Sequence, residues 1–256
     1  MRDTARIVVA LASLTFAACG GSAEENAGGT AESNLGAAGS VEAAVSTSCS
    51  TSAVHGLAQQ LVDEIECMSP GALTKIDGIP NVTVDSVVFP YLQAPAAKAL
   101  RTAATHGAIS INSALRTLPQ QYLLYRWYQS GRCGIGLAAH VGHSNHEQGL
   151  AVDVGDHSSS AMTNAGFHWL GNADPVHWDY RGGGGVDLAG MSTKAFQRLW
   201  NRNHPTERIG EDGSYGGETE TRLKRTPAAG FAVGAACGAA ASNVDAGTED
   251  DDASSP

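Results

Sequence analysis

Gly149-Leu150-Ala151-Val152-Asp153-Val154 is the stretch on which the reading of the fold turns. Side chains alternate along an extended chain, so Leu150, Val152 and Val154 share one face while Gly149, Ala151 and Asp153 share the other. Asp153 thus projects from a face of small residues within an apolar strand. An ionised carboxylate there needs either a cation or several donors to offset its lost hydration. A metal ion is one such partner.

Upstream, Ala108-Ile109-Ser110-Ile111-Asn112-Ser113 alternates apolar and polar residues, the pattern of a half-buried strand, and leads into Leu115-Arg116. Thr117-Leu118-Pro119-Gln120 then supplies a capping residue, a proline in the first turn and a glutamine three positions on. These open a helix that runs to about Gln129, with Leu123, Leu124 and Trp127 facing the core and Ser130-Gly131 ending it. Arg116 falls at the strand-to-helix junction, where side chains tend to line a site. Nearer the N-terminus, Leu57, Leu61 and Ile65 give Ala53 to Met68 a helical period that stops at Ser69-Pro70-Gly71. Val82, Val84, Val87 and Val88 suggest short extended structure, and Pro95 to Thr105 a further helix.

His146 and Asp153 flank the start of the opening strand, and Asp174-Pro175-Val176-His177-Trp178 brings a second histidine. Two imidazoles and a carboxylate suit zinc, with a fourth position left for water. Such a water becomes a nucleophile near neutral pH. Asp174, three residues before His177, is placed to carry its proton to the leaving amine. The zinc-protease motif H-E-x-x-H is not present: His146-Glu147 opens it, but Leu150 stands where the second histidine belongs. Glu147 is therefore read as a solvated loop charge. Taken singly, His146 and His177 could be ordinary hydrogen-bonded histidines, Asp153 and Ser144 caps, Asp174 the start of a turn and Arg116 a surface charge.

The combination is more specific. Ser144-Asn145-His146-Glu147-Gln148-Gly149-Leu150-Ala151-Val152-Asp153 resembles the S-x-H-x-x-G-x-A-x-D signature of the D-alanyl-D-alanine carboxypeptidase family, which includes vancomycin-resistance carboxypeptidases and phage L-alanyl-D-glutamate endopeptidases. Ser113 to Thr117 with Gln121 resemble its S-x-x-R-[ST]-x-x-x-Q element, and Asp174 to His177 its closing acid-x-x-H element. The likeness covers roughly residues 80 to 182. It implies an α+β fold, a small antiparallel sheet with flanking helices of the kind found in Hedgehog-like and DD-peptidase domains. It also implies one zinc ion on His146, Asp153 and His177, Asp174 as general base, Arg116 as oxyanion stabiliser, and Gln121 and Ser144 as substrate-binding residues. Many carboxypeptidase members carry Glu at the position of Asp174, and Asp there is more similar to the endopeptidase branch.

The two ends bear on location. Met1 to Arg6 is charged, Ile7 to Ala18 apolar but too short to span a bilayer, and Phe16-Ala17-Ala18-Cys19 resembles a lipoprotein signal with Phe16 in place of the usual Leu. The expectation is a signal peptide over 1–18, a lipid anchor at Cys19 and a cell-envelope lipoprotein, with plain secretion the alternative. Residues 20–48, rich in Gly, Ala, Ser, Glu and Asn, read as a disordered tether, and 238–256, with the acidic run Glu249 to Asp252, as a disordered tail. The net charge of -10 and the want of a basic cluster argue against nucleic acid. Cys49, Cys67, Cys133 and Cys237 remain in the central part, and an even number in an exported chain points to disulfides. The expected pairs are Cys49 with Cys67 and Cys133 with Cys237. No C-x-x-C spacing favours a thiolate zinc site instead.

Beyond a zinc domain expected over 49–182, Arg181-Gly182-Gly183-Gly184-Gly185 reads as a flexible joint. Residues 183–237 are then a small helical module. Ala195-Phe196-Gln197-Arg198-Leu199-Trp200-Asn201 and Asp212 to Thr219 resemble the pieces of a small peptidoglycan-binding repeat, and a unit of this size needs to pack on its neighbour. The expected function is zinc-dependent hydrolysis of peptide bonds in peptidoglycan stem peptides by a monomer. The alternatives are a lipoprotein that binds peptidoglycan or metal without cleavage, and a periplasmic dipeptidase acting on free D-alanyl-D-alanine.

Overall fold

A computed structural model describes residues 39–155 and 160–237. The expected signal peptide, Cys19, most of the tether and the acidic tail lie outside the described residues. In chain order the elements are α1 (Val41–Thr47), α2 (His55–Met68), β1 (Leu73–Lys75), β2 (Val82–Val84), β3 (Tyr91–Gln93), α3 (Ala94–Ala103), β4 (Ile109–Ser113), α4 (Leu118–Gln129), β5 (Ala151–Val154), α5 (Ser160–Asn164), β6 (Phe167–Trp169), β7 (His177–Tyr180), α6 (Met191–Asn203) and α7 (Gly217–Arg225). The class is α+β. No described helix is long and apolar enough to cross a membrane.

A five-stranded sheet carries the site, in the order β2-β4-β5-β7-β6. Its pairs are antiparallel except β2 with β4, which run parallel because β3 and α3 supply the crossover between them. The all-antiparallel expectation is corrected by that one pair. Val152 and Val154 face inward against Leu100, Met162 and Trp178, so the apolar face of the opening strand is the face that packs. α4 starts as its sequence directs, the Gln120 Oε1 accepting from the Thr117 N–H at 2.9 Å.

A second core lies among α1, α2, α4, α6 and α7, built on Leu57, Leu61, Leu123, Trp127, Phe196 and Trp200. Residues expected to belong to two modules share it. α2 and α6 are also joined by charge: Glu64, fully buried, accepts from Arg198 Nε at 2.6 Å and from Arg202 Nη1 at 3.1 Å. The glycine run before α6 is fastened rather than loose. Gln93, buried, donates to the carbonyls of Gln148 and Val186 at 2.8 and 3.0 Å and accepts from the Val186 N–H at 2.8 Å. A Cβ at Gly185 would stand 2.9 Å from that glutamine's Oε1.

Two expectations near the N-terminus are corrected. Val41–Thr47 is a helix capped by Ser40, with Val41, Ala44 and Val45 buried, so folded structure begins inside the expected tether. Apolar residues at i, i+3 and i+4 gave it a packing face despite the low-complexity surroundings. The disulfides join Cys49 to Cys133 and Cys67 to Cys237. Cys67 stands near the end of α2 remote from Cys49, so each of the two bonds a cysteine from another part of the chain. Two disulfides are compatible with an exported chain.

Candidate metal centre

The site is written across neighbouring strands. Asp153 on β5 stands beside His177 on β7, and Ser113 on β4 flanks Asp153 on its other side. His146 comes from the short 3-10 turn Asn145–Gln148 that precedes β5. Ser144 Oγ accepts from the His146 N–H at 3.3 Å, and Glu147 Oε2 accepts from Gly142 and Ser144 N–H at 2.9 and 3.2 Å. Gly149 ends the turn at φ +66°, where a Cβ would also meet Gln93 N at 3.2 Å. Both the dihedral and the space call for glycine.

Three acceptor atoms converge. His146 Nε2, Asp153 Oδ1 and His177 Nδ1 lie 3.1, 3.1 and 3.2 Å from one another. The other ring nitrogen of each histidine is already committed. His146 Nδ1 lies 2.7 Å from the Ala114 carbonyl, and His177 Nε2 lies 2.8 Å from Asp179 Oδ1. A carbonyl and a carboxylate can only accept, so those nitrogens carry the protons and the pair facing Asp153 present lone pairs. Three lone pairs this close repel unless a cation sits among them. Ligands about 2.0–2.1 Å from a tetrahedral ion are separated by about 3.3 Å, close to the spacing found. His146, Asp153 and His177 therefore form a group that can hold a metal ion.

Asp179 is a member of this site that the sequence reading missed. It lies two residues beyond His177 on the same strand and hence on the same face. It is held in turn by Asn145 Nδ2 at 2.8 Å, so the carboxylate fixes both the tautomer and the orientation of His177. Arg116 donates from Nη2 to Asp153 Oδ2 at 2.5 Å and from Nε to Ser113 Oγ at 2.9 Å. Its Nη1 has no hydrogen-bond partner among the described residues.

Inner lone pairs on both histidines describe the metal-bound state; without a metal, a proton on His177 Nδ1 takes the place of the cation and is shared with Asp153. Burial, with the Arg116 guanidinium, holds His146 below the usual histidine range. Burial would raise Asp153, but His146, His177 and Arg116 outweigh it and keep the carboxyl ionised. For His177, burial is overcome by the hydrogen bonds to Asp153 and Asp179, which push its pKa up to about 9. Glu147, read from sequence as a solvated charge, is instead 7 % exposed, and burial pushes its pKa up to about 7. Its role is to brace the turn that carries His146.

Since the folded value for His177 lies above the ordinary 6.5, the metal-free protein holds an extra proton between about pH 6.5 and 9. That proton stabilises the metal-free fold fully below pH 6.5, and the contribution fades as pH rises through 9. A metal must displace it. Metal affinity is expected to rise about tenfold per pH unit towards pH 9 and then level off. Titration calorimetry at pH 7.5 in buffers of differing ionisation enthalpy should find about one proton released per ion; binding with no proton release contradicts the assignment.

These residues open onto a cleft of about 650 Å³ that Arg116, Ser144 and Asp174 also line. Asp174 follows a short turn, its carbonyl accepts from the His177 N–H at 3.2 Å, and its carboxylate has no partner among the described residues. Ser144 reaches the cleft, but its hydroxyl serves as the cap of the His146 turn. Gln121 is not among the cleft-lining residues. It is fully buried on α4 and donates from Nε2 to the Ala139 carbonyl at 2.8 Å, which supports the cleft wall.

Compared with family models, with curated proteins and with solved structures, the chain finds no match in any of the three.

Proposed function

We infer that the protein is a zinc-dependent peptidase that hydrolyses peptide bonds in peptidoglycan stem peptides. The observation that carries this reading is the convergence of His146 Nε2, Asp153 Oδ1 and His177 Nδ1, each with its outer partner, in a cleft that Asp174, its carboxylate unpartnered among the described residues, also lines. The N,N,O donor set suits zinc, which when bound would polarise a water and the scissile carbonyl. Asp174 takes the proton of the attacking water and passes it to the leaving amine. Arg116 holds the Asp153 carboxylate in orientation through Nη2 and has Nη1 left to offer to negative charge developing on the carbonyl oxygen. His146 and His177 stay neutral in the working state, their outer protons pinned by Ala114 and Asp179.

The choice of polymer rests on the S-x-H-x-x-G-x-A-x-D resemblance at Ser144 to Asp153 and on the repeat-like residues of α6 and the segment Asp212 to Thr219. A cell-envelope lipoprotein anchored at Cys19 would place the cleft beside that polymer. The test is to incubate the zinc-loaded protein with purified sacculi and identify soluble fragments by mass spectrometry. Free D-alanine or new amino termini within stem peptides is the expected result. Intact sacculi, with metal bound at full stoichiometry, would leave a non-catalytic binding protein.

A further inference from the structure

The wall of the cleft formed by Gly134 to Ala139 has a feature that its side chains do not explain. Gly134 and Gly136 line the cavity, and a glycine can line it only with main-chain atoms. From Ile135 to His140 the backbone runs without turn or bend. Gly136, Leu137 and Ala138 make no hydrogen bond to any described residue, so this length of main chain keeps its N–H and C=O groups unpaired within the protein.

Both ends of this length are fixed. On one side Cys133 is bonded to Cys49, and Arg132 donates to the Val45 and Ser46 carbonyls at 2.8 and 2.9 Å. On the other, Ala139 is held by Gln121. An unpaired main-chain segment fixed at both ends loses little further entropy when a second chain pairs with it. Gly136 has no packing reason to be glycine: a Cβ there meets nothing within 4 Å, and its φ lies outside the left-handed region.

We propose that Gly136–Ala138 is a main-chain docking rail, on which a peptide substrate lies in extended form and pairs its own amides beside the metal centre. The proposal rests on the peptidase reading and goes beyond it by naming how the substrate is held: through its backbone, with the glycine kept bare so that another chain can approach. The Cys49–Cys133 bond and Gln121 are positioning elements of that rail.

The probe is a dye-labelled stem pentapeptide, L-Ala-D-γ-Glu-L-Lys-D-Ala-D-Ala, measured by fluorescence anisotropy against the zinc-loaded full chain carrying Asp174→Asn so that it binds without being cleaved. Gly136→Val is expected to weaken binding at least tenfold while metal affinity and thermal midpoint stay those of the parent. Leu137→Ala, which keeps every main-chain group, is expected to change binding less than threefold. In a second arm the parent protein is unchanged and the peptide is N-methylated at one amide at a time; at least one methylation should cost tenfold or more. Gly136→Val binding like the parent, or a series of N-methylated peptides all binding like the unmodified one, overturns the rail. If those results come with cleavage of sacculi by the unmutated protein, the peptidase reading stands without the rail. If the Asp174→Asn protein does not bind the peptide and the unmutated protein does not cleave sacculi, both fall.

Discussion

Asp153→Ala is expected to abolish metal binding, with affinity falling by more than the ~10–100-fold that follows loss of an outer partner. The argument lies in how much this one carboxylate holds. Oδ1 is one of the three converging atoms, and Oδ2 is the acceptor for Arg116 Nη2. Removing it leaves two neutral imidazoles for the ion and a guanidinium, 19 % exposed, without its counter-charge. Breaking a buried pair in this way costs about 3–5 kcal/mol, so the variant should also melt earlier. Asp153→Asn separates the two effects. It keeps the shape of the site and an oxygen for Arg116, so its midpoint should stay nearer the parent's while its metal content, read by elemental mass spectrometry after dialysis, still collapses. Full occupancy in either variant would show that the ion is held elsewhere.

The candidate ligands could be read from the sequence because each stands where a local rule bites. Asp153 had to face small residues once the strand from Gly149 was recognised, and the same alternation that placed it could have found Asp179, two positions beyond His177 on a strand. Gln121 shows a position whose burial the motif did not report. Chosen by its place in a motif, it lies three residues after Leu118 and one before Tyr122, on the buried side of α4, where helical spacing alone would have put it in the core. Glu147 looked like a solvated charge because nothing local reports that its neighbours Gly142 and Ser144 fold back onto it. The shared core of α2 and α6 was likewise illegible: Glu64 meets Arg198 and Arg202 only after the chain has traversed the whole sheet. Of the three cysteine pairings, the helix recognised between Cys49 and Cys67 argues against one, and choosing between the other two needs the fold.

Asp174→Asn is expected to slow cleavage of sacculi by about 10²–10⁴-fold, the range for loss of a general acid or base, with metal affinity and thermal midpoint unchanged. The separation follows from geometry. Asp174 touches the metal group only through its backbone, the carbonyl accepting from the His177 N–H at 3.2 Å, and substitution leaves that bond in place. Its carboxylate has no partner whose loss would cost stability. Asparagine fills the same volume and accepts hydrogen bonds but cannot take a proton near neutral pH, so a water could still be positioned and not activated. Asp174→Glu asks a further question, because the added methylene lengthens the reach of the carboxyl. If reach from the short Asp side chain limits the reaction, Glu should cleave at least as well as the parent. Should Asp174→Asn cleave as fast as the parent while chelation still stops the reaction, another group moves the proton and Asp174 is only part of the wall.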